Sequence, residues 1–362
     1  MRILSKLVRK INSRKHLVDG LFLVSDGAGW ILDEVAEQIA TRMPTEANAM
    51  VDTSSQWTRA RKSIIHFIER SWAWHKGHID NAHVSNHLIG LWWHGTVSSD
   101  DQAIQFGLEQ VSVLHPRFAK LQVPTSIARD TLLGLGVPED KLVMLPEGLD
   151  TSRFVPDESG AQRNRVRELL DIPQDTLVIG SFQKDGIGWN EGSNPKLIKG
   201  PDVFADAMEI LNQRHPIFVL MPGPARGYLQ KRLSEAGVLY SNPGYITHKD
   251  GLPELYHALD LYVSPSRDEG GPAGVMEAMA SRIPVVSTRS GIAVDIFGED
   301  KNGLLVAIED AEALAAACER LLGDEKLRSQ IALNGYQAIQ FYDWSLLSEQ
   351  YFDQLYRPLL NA

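Results

Sequence analysis

Residues 264–291 read SPSRDEGGPAGVMEAMASRIPVVSTRSG. The apolar run ahead of them, LDLYVSPS (259–266), stops at Ser264-Pro265-Ser266, which predicts a strand ending in a loop. Gly270, Gly271 and Gly274 follow, and the loop opens into VMEAMASR, where the spacing predicts a helix. Glycines let a backbone turn tightly and bring its N–H groups close to a ligand. A helix start adds unpaired donors and the positive end of its dipole, so this unit is a candidate anion site. Glu269 opens the loop and Glu277 lies one turn inside the helix, eight positions on. A diphosphate at the helix start would thus lie between two carboxylates.

Outward from this window, strand-like runs alternate with helical patterns. LFLVS (21–25), AMVDT (49–53), HLIGLWWHG (87–95), QVSVLH (110–115) and KLVMLPEG (141–148) read as strands. WILDEVAEQIATRM and SIARDTLLGLGV read as helices. After Phe154-Val155-Pro156 the pattern restarts with the helix RNRVRELLDI, the strand TLVIGSF (176–182), the helix GPDVFADAMEILNQR and the strands IFVLMPG (217–223) and IPVVST (283–288). Such alternation predicts an α/β fold of two doubly wound, Rossmann-like domains facing a central cleft, with ligands at the carboxyl ends of the strands.

Composition agrees with a globular chain: 362 residues, 43% apolar and 23% charged. The single cysteine, Cys318, reads as a small buried hydrophobe and permits no disulfide framework, which suits a cytoplasmic protein. The net charge is −10 although residues 1–15 carry six basic side chains and no acidic one. An acidic body argues against nucleic acid as a partner. In MRILSKLVRKI the apolar residues Ile3, Leu4, Leu7, Val8 and Ile11 share one helical face and Lys6, Arg9 and Lys10 the other. That pattern suits a helix lying on an anionic membrane surface, here the inner face of the cell membrane, or one packed on protein.

The 264–291 window resembles the signature of retaining, family 4 (group 1) glycosyltransferases of the GT-B fold, usually written near PS-x-x-E-G-F-G-x-x-x-L-E-A-M-A-x-G-x-P-V-V. Pro265, Ser266, Glu269, Gly270, Glu277, Ala278, Met279, Ala280, Pro284, Val285 and Val286 stand in the matching places. Gly271, Pro272 and Arg282 depart from the pattern. MLPEGLDTSRFVP (144–156) resembles the family's interdomain segment, and NGLLV (302–306) its strand after the donor site. The resemblance implies an acceptor-side domain over 1–160, a nucleotide-sugar domain over 161–340 and a final helix, 341–362, crossing back to the first domain.

It also implies site residues. Gly180 and Lys199-Gly200 resemble the strand-loop-helix that brings an Arg and a Lys to the donor diphosphate, but Ser181 stands where the Arg would be and the loop is longer. Lys184 is the candidate for the missing charge. Tyr245 and Ile246 would border the base, and Gly270, Gly271, Gly274 and Val275 the diphosphate. Glu269 would orient the sugar hydroxyls and Glu277 accept from the ribose. In the first half, SDGAGW (25–30) resembles the glycine-rich loop whose Gly27 and Gly29 lie near the donor phosphates, and WWHGT (92–96) the strand end carrying a His, here His94, beside the sugar. The expected activity is metal-independent, cofactor-free hexosyl transfer from a nucleotide diphosphate sugar to a glycan or lipid-linked acceptor in cell-surface polysaccharide assembly. A non-catalytic nucleotide-sugar-binding subunit of a glycosyltransferase complex is the alternative.

Overall fold

The computed structural model describes residues 20–360 apart from 28, 30, 69–72, 247–250, 272 and 299. The basic segment 1–15 therefore lies outside the described residues. The described residues divide into two compact units, one formed by those up to 124, 128–145 and those from 344, the other by 125–127 and 146–343. The division falls at 145/146 rather than 160, because Leu149 and Phe154 are buried in the core of the second unit.

The first unit holds a six-stranded parallel sheet in the order β2-β1-β3-β4-β5-β6. Its strands are β1 (Leu21–Val24), β2 (Ala49–Asp52), β3 (Ile64–Phe67), β4 (His87–Leu91), β5 (Lys120–Val123) and β6 (Leu142–Met144). Every residue of β1 and β3 is buried, as a parallel sheet covered on both faces requires. QVSVLH, read as a strand, lies in the helix Gln102–Leu114 and the turn after it. Val-Ser-Val alternates over three residues, but Ile104, Leu108, Val111 and Leu114 recur at helical spacing and are buried, and Asp101 caps the start by accepting from Ala103 and Ile104.

Two strands of this sheet, β3 and β5, are not among the expected strands; each carries one buried polar residue among its apolar ones. His66 Nδ1 lies 2.8 Å from Tyr356 Oη, and Gln122 Nε2 donates to Tyr351 Oη at 2.5 Å and to the Leu145 carbonyl at 2.9 Å. These bonds seat the last segment, 344–360, on the first unit. Burial lowers the His66 pKa to about 3, a Gln122 hydrogen bond opposing it in part, so the ring stays neutral in this contact.

The second unit repeats the plan with β7 (Leu177–Gly180), β8 (Ile217–Leu220), β9 (Leu239–Ser241), β10 (Leu261–Ser264), β11 (Val285–Thr288) and β12 (Leu304–Val306). All its pairings are parallel, in the order β9-β8-β7-β10-β11-β12, which is the 3-2-1-4-5-6 arrangement of dinucleotide-binding sheets. Side chains alternate between two cores. Val178, Leu220, Tyr262 and Val285 enter one, with the helix Ala273–Ala280. Ile179, Val219, Leu261, Val263 and Val286 enter the other, with the helices Pro201–Asn212 and Ala311–Gly323. Cys318 is buried in this second core.

Arg167 ties the entry to this sheet together. Its fully buried guanidinium donates to the Ala258, Gln174 and Thr176 carbonyls and to Asp260, which also accepts from the Val178 N–H. Arg167→Met would leave three carbonyls and a carboxylate without this donor. Denaturant unfolding followed by circular dichroism should show a loss of about 3 kcal/mol. A loss under about 1 kcal/mol would contradict this role.

Candidate functional site

The strand order of the second sheet reverses between β7 and β10, and ligands of doubly wound sheets bind beyond the carboxyl ends of the strands at such a point. Two loops emerge there, 181–200 after β7 and 265–272 after β10. Lys199 Nζ from the first makes an ion pair with Glu269 Oε1 of the second. The carboxylate side chain is 5% exposed and the lysine 21%, so the attraction is only partly screened by water. Ser266 Oγ lies 3.2 Å from the same Glu269 oxygen and 3.3 Å from Gln183 Oε1, while Gln183 Nε2 donates to the Lys199 carbonyl at 2.8 Å. A closed ring of contacts thus sets the pair in place.

The backbone beneath is fitted as closely. Gly200 has φ +65°, and a Cβ there would lie 2.1 Å from the Pro265 carbonyl oxygen. Arg267 donates to both oxygens of Asp202 at 2.8 and 2.7 Å, to Glu309 at 2.6 Å and to the Leu197 carbonyl at 2.6 Å. It thereby fastens the turn Leu197–Lys199 to the loop bearing Glu269.

The helix Ala273–Ala280 begins against the end of β10. A Cβ on Gly274 would lie 2.0 Å from Tyr262 Oη, so a glycine alone lets the helix start come this close. Val275 packs into the core below. Glu277 is 3% exposed and accepts from Tyr256 Oη at 2.5 Å. Burial, with Glu277 adding to it, drives the Tyr256 pKa well above its ordinary value and fixes the phenol as the donor. Gly270 gives its carbonyl to the Ile292 N–H at 3.0 Å, and Gly271 is buried beside it.

Sequence reasoning missed the residue that shapes the loop after β7. Ser181 is buried, and a fully buried arginine from a different loop, Arg226, donates to its carbonyl at 2.8 Å and to that of Gln183. Arg226 Nη2 also lies 3.4 Å from Asp185. Burial raises the Asp185 pKa and Arg226 opposes it. Arg226 therefore acts on the backbone from below, and its only signal in sequence is an arginine after the turn-rich PGPA. Lys184 lies on the outer side, its ammonium 4.2 Å from the centroid of the Trp189 ring, and burial lowers its pKa. Trp189 meets Tyr245 edge to face at 6.3 Å, with Tyr245 itself 63% exposed. Ile246 packs against the core.

The first unit has its own strand-end loops. The Gly27 N–H donates to Asp33 Oδ1 at 3.1 Å and the Gly29 N–H to Asp33 Oδ2 at 2.5 Å, with Ser25 Oγ on the same carboxylate. Asp33, which the sequence reading passed over, thus holds the amides an anion would use. His94 stands three residues past β4, in a turn closed by Trp92 Nε1 donating to the Gly95 carbonyl at 3.2 Å. Among the described residues no group of three or more His, Cys, Asp or Glu is placed to hold a metal ion, and no helix is long and apolar enough to cross a membrane.

A half-buried cation beside a buried carboxylate, a glycine-lined helix start and a second buried carboxylate can receive a diphosphate and hold hydroxyl groups on either side of it. Known proteins share this region. Residues 195–338 match the family model of glycosyl transferases group 1. The lipopolysaccharide core biosynthesis mannosyltransferase LpsB of Rhizobium meliloti is 28% identical over 198 residues, 52% of each chain. The D-inositol 3-phosphate glycosyltransferase of Corynebacterium urealyticum is 30% identical over 235 residues, 60% of this chain and 51% of that one. The chain thus spans about half the length of these curated relatives. In fold, HepE of Anabaena, solved with UDP and with UDP-glucose, superposes with a TM-score of 0.74 over 94% of this chain and 99% of its own at 16% identity. Two Rossmann-like units in the GT-B manner are thereby shared in fold, and residues 195–338, the greater part of the second unit, are similar to the group 1 glycosyl transferases.

Proposed function

We propose that the chain transfers a hexosyl group from a nucleotide diphosphate sugar to a glycan or lipid-linked acceptor, without metal or cofactor and with retention of the anomeric configuration. The observation carrying this reading is the Lys199–Glu269 pair at the switch point of the second sheet, beside the start of the helix that bears Glu277. In the proposed reaction the bond from the anomeric carbon to the β-phosphate oxygen breaks through an oxocarbenium-like state. Lys199 and the backbone N–H groups after Glu269 stabilise the departing diphosphate, an electrostatic contribution of roughly 3–4 kcal/mol for one well-placed donor. The acceptor hydroxyl adds on the same face and its proton passes to the leaving phosphate.

In this account Glu269 serves twice. Before the donor binds it holds Lys199; once the ammonium turns to the diphosphate, its carboxylate is released to the sugar hydroxyls. Glu277, oriented by Tyr256, accepts from the ribose, and Tyr245 and Ile246 border the base. Lys184, drawn over Trp189, supplies charge at the outer edge of the diphosphate. The first unit, with Gly27, Gly29 and His94 at its strand ends, is assigned to the acceptor and the sugar. A role in cell-surface polysaccharide assembly is supported by the name of the Rhizobium relative. Residues 1–15 are the candidate contact with the inner face of the membrane.

Two substitutions test this. Glu269→Gln should lower kcat by about 100-fold or more while nucleoside diphosphate affinity, read by isothermal titration, holds or tightens because Lys199 is no longer neutralised. Equal loss of turnover and diphosphate binding would contradict the assignment. Lys199→Ala should weaken diphosphate binding by about 10–100-fold. Unchanged affinity would remove Lys199 from the site. Release of nucleoside diphosphate only when acceptor is added separates transfer from a binding subunit.

A further inference from the structure

The loop that leaves β7 is long, and its middle is a built arm. Gly186 and Pro195 pair as an antiparallel bridge, the Ile187 N–H donates to the Asn194 carbonyl at 2.9 Å, and the Lys196 N–H donates to the Asp185 carbonyl at 2.7 Å. Residues 185–196 therefore fold back on themselves beyond the strand end.

The arm is fastened sideways to the loop after β8. The Gly227 and Tyr228 N–H groups donate to the Glu191 and Gly192 carbonyls at 2.7 and 3.0 Å. Gly192 has φ +73°, and a Cβ there would lie 2.2 Å from the Ala225 carbonyl oxygen. Arg226 closes the base of the arm, taking the Gln183 carbonyl and lying 3.4 Å from Asp185, whose side chain is buried. Ordering such an arm costs conformational entropy, and burial offsets little of it, because Ile187 is 63% and Trp189 53% exposed. Packing does not account for it.

What Trp189 holds is the Lys184 ammonium, 4.2 Å from the ring centroid. A carboxylate fixes a cation by cancelling its charge, as Glu269 does for Lys199. The quadrupole of a ring fixes a cation and leaves its charge whole. Part of the ammonium's water is also excluded, which lowers the Lys184 pKa and leaves less water for an anion to displace. Lys184 follows Gln183 in the chain, and Gln183 Nε2 donates to the Lys199 carbonyl at 2.8 Å, so the ring-held cation is tied to the pair at the switch point.

Resting on the donor site proposed above, we infer that Trp189 is a positioning residue for the donor diphosphate: its ring holds the Lys184 ammonium where the outer phosphate arrives, and the arm 185–196 carries that ring. Tyr245, edge to face with Trp189 at 6.3 Å, steadies the indole. The two lysines are then held by different means. Lys199 sits on a carboxylate that must release it, whereas Lys184 keeps its ring while it meets the anion. Trp189 itself touches neither base nor sugar.

Isothermal titration of the full chain with UDP and UMP tests this, with GDP and GMP in their place if the guanine pair binds more tightly. Trp189→Ala should weaken UDP binding by about three- to fivefold and UMP binding by less than about twofold. Trp189→Phe, which keeps a ring, should stay within about twofold of the native affinity for UDP. Lys184→Met should weaken UDP binding by about tenfold, and adding Trp189→Ala to it should change the affinity by less than about 1.5-fold, because a positioning residue has nothing left to position. Equal loss for UDP and UMP, equal loss with and without Lys184, or no loss for UDP would each overturn the role of Trp189. Lys199→Ala separates this role from the site it rests on. If Lys199→Ala weakens UDP binding and Trp189→Ala does not, the donor site stands and Trp189 alone is removed from it. If neither variant weakens it, or neither nucleotide pair binds, the donor site falls as well.

Discussion

An ammonium and a carboxylate, each largely withdrawn from water, face one another where the second sheet changes direction. Lys199 and Glu269 come from loops 70 positions apart in the chain, so their meeting depends on β7 and β10 lying side by side. Bringing two charges together in partial burial costs desolvation that their attraction must repay, and the repayment requires tight geometry. The surroundings supply it. Gln183 and Ser266 bridge the loops, Arg267 fastens the lysine's turn, and Gly200 and Gly274 let backbone approach where a side chain would collide.

Such a pair is a poor way to gain stability, because a well-packed apolar contact would serve at least as well. It is a good way to keep a cation ready for an anionic ligand. Until the ligand arrives the charge is compensated, and afterwards the carboxylate is available to other groups. The same logic orders the sheet around it. The buried ion pairs Arg167–Asp260 and Arg226–Asp185 of the second unit lie at the entry and exit ends of its strands, and the two cores between them are apolar.

The architecture was legible wherever local and global signals agreed. LYVS, VVST and LVIG are short apolar runs closed by turn residues, and the structure makes each a central strand. The carboxylate spacing of Glu269 and Glu277 was legible too, because both belong to one strand-loop-helix. Long-range pairing was not. No local pattern shows that Arg226 lies under Ser181, that Asp33 takes the Gly27 and Gly29 amides, or that His66 and Gln122 bond tyrosines of the last segment. QVSVLH was misread because three alternating residues imitate a strand inside a helix whose period needs about four turns to show.

The central claim is that a pyrophosphate is held between the loop of Glu269 and the helix start at Ala273, with Lys199 as its cation. A crystal structure of the chain with UDP, or with GDP if that is the diphosphate that binds, tests it most directly. Diphosphate oxygens should lie within about 3 Å of Lys199 Nζ and of the backbone N–H groups of Gly270, Gly271 and residues 273–275, with the ribose toward Glu277. A nucleotide bound elsewhere, with Lys199 still on Glu269, would contradict it.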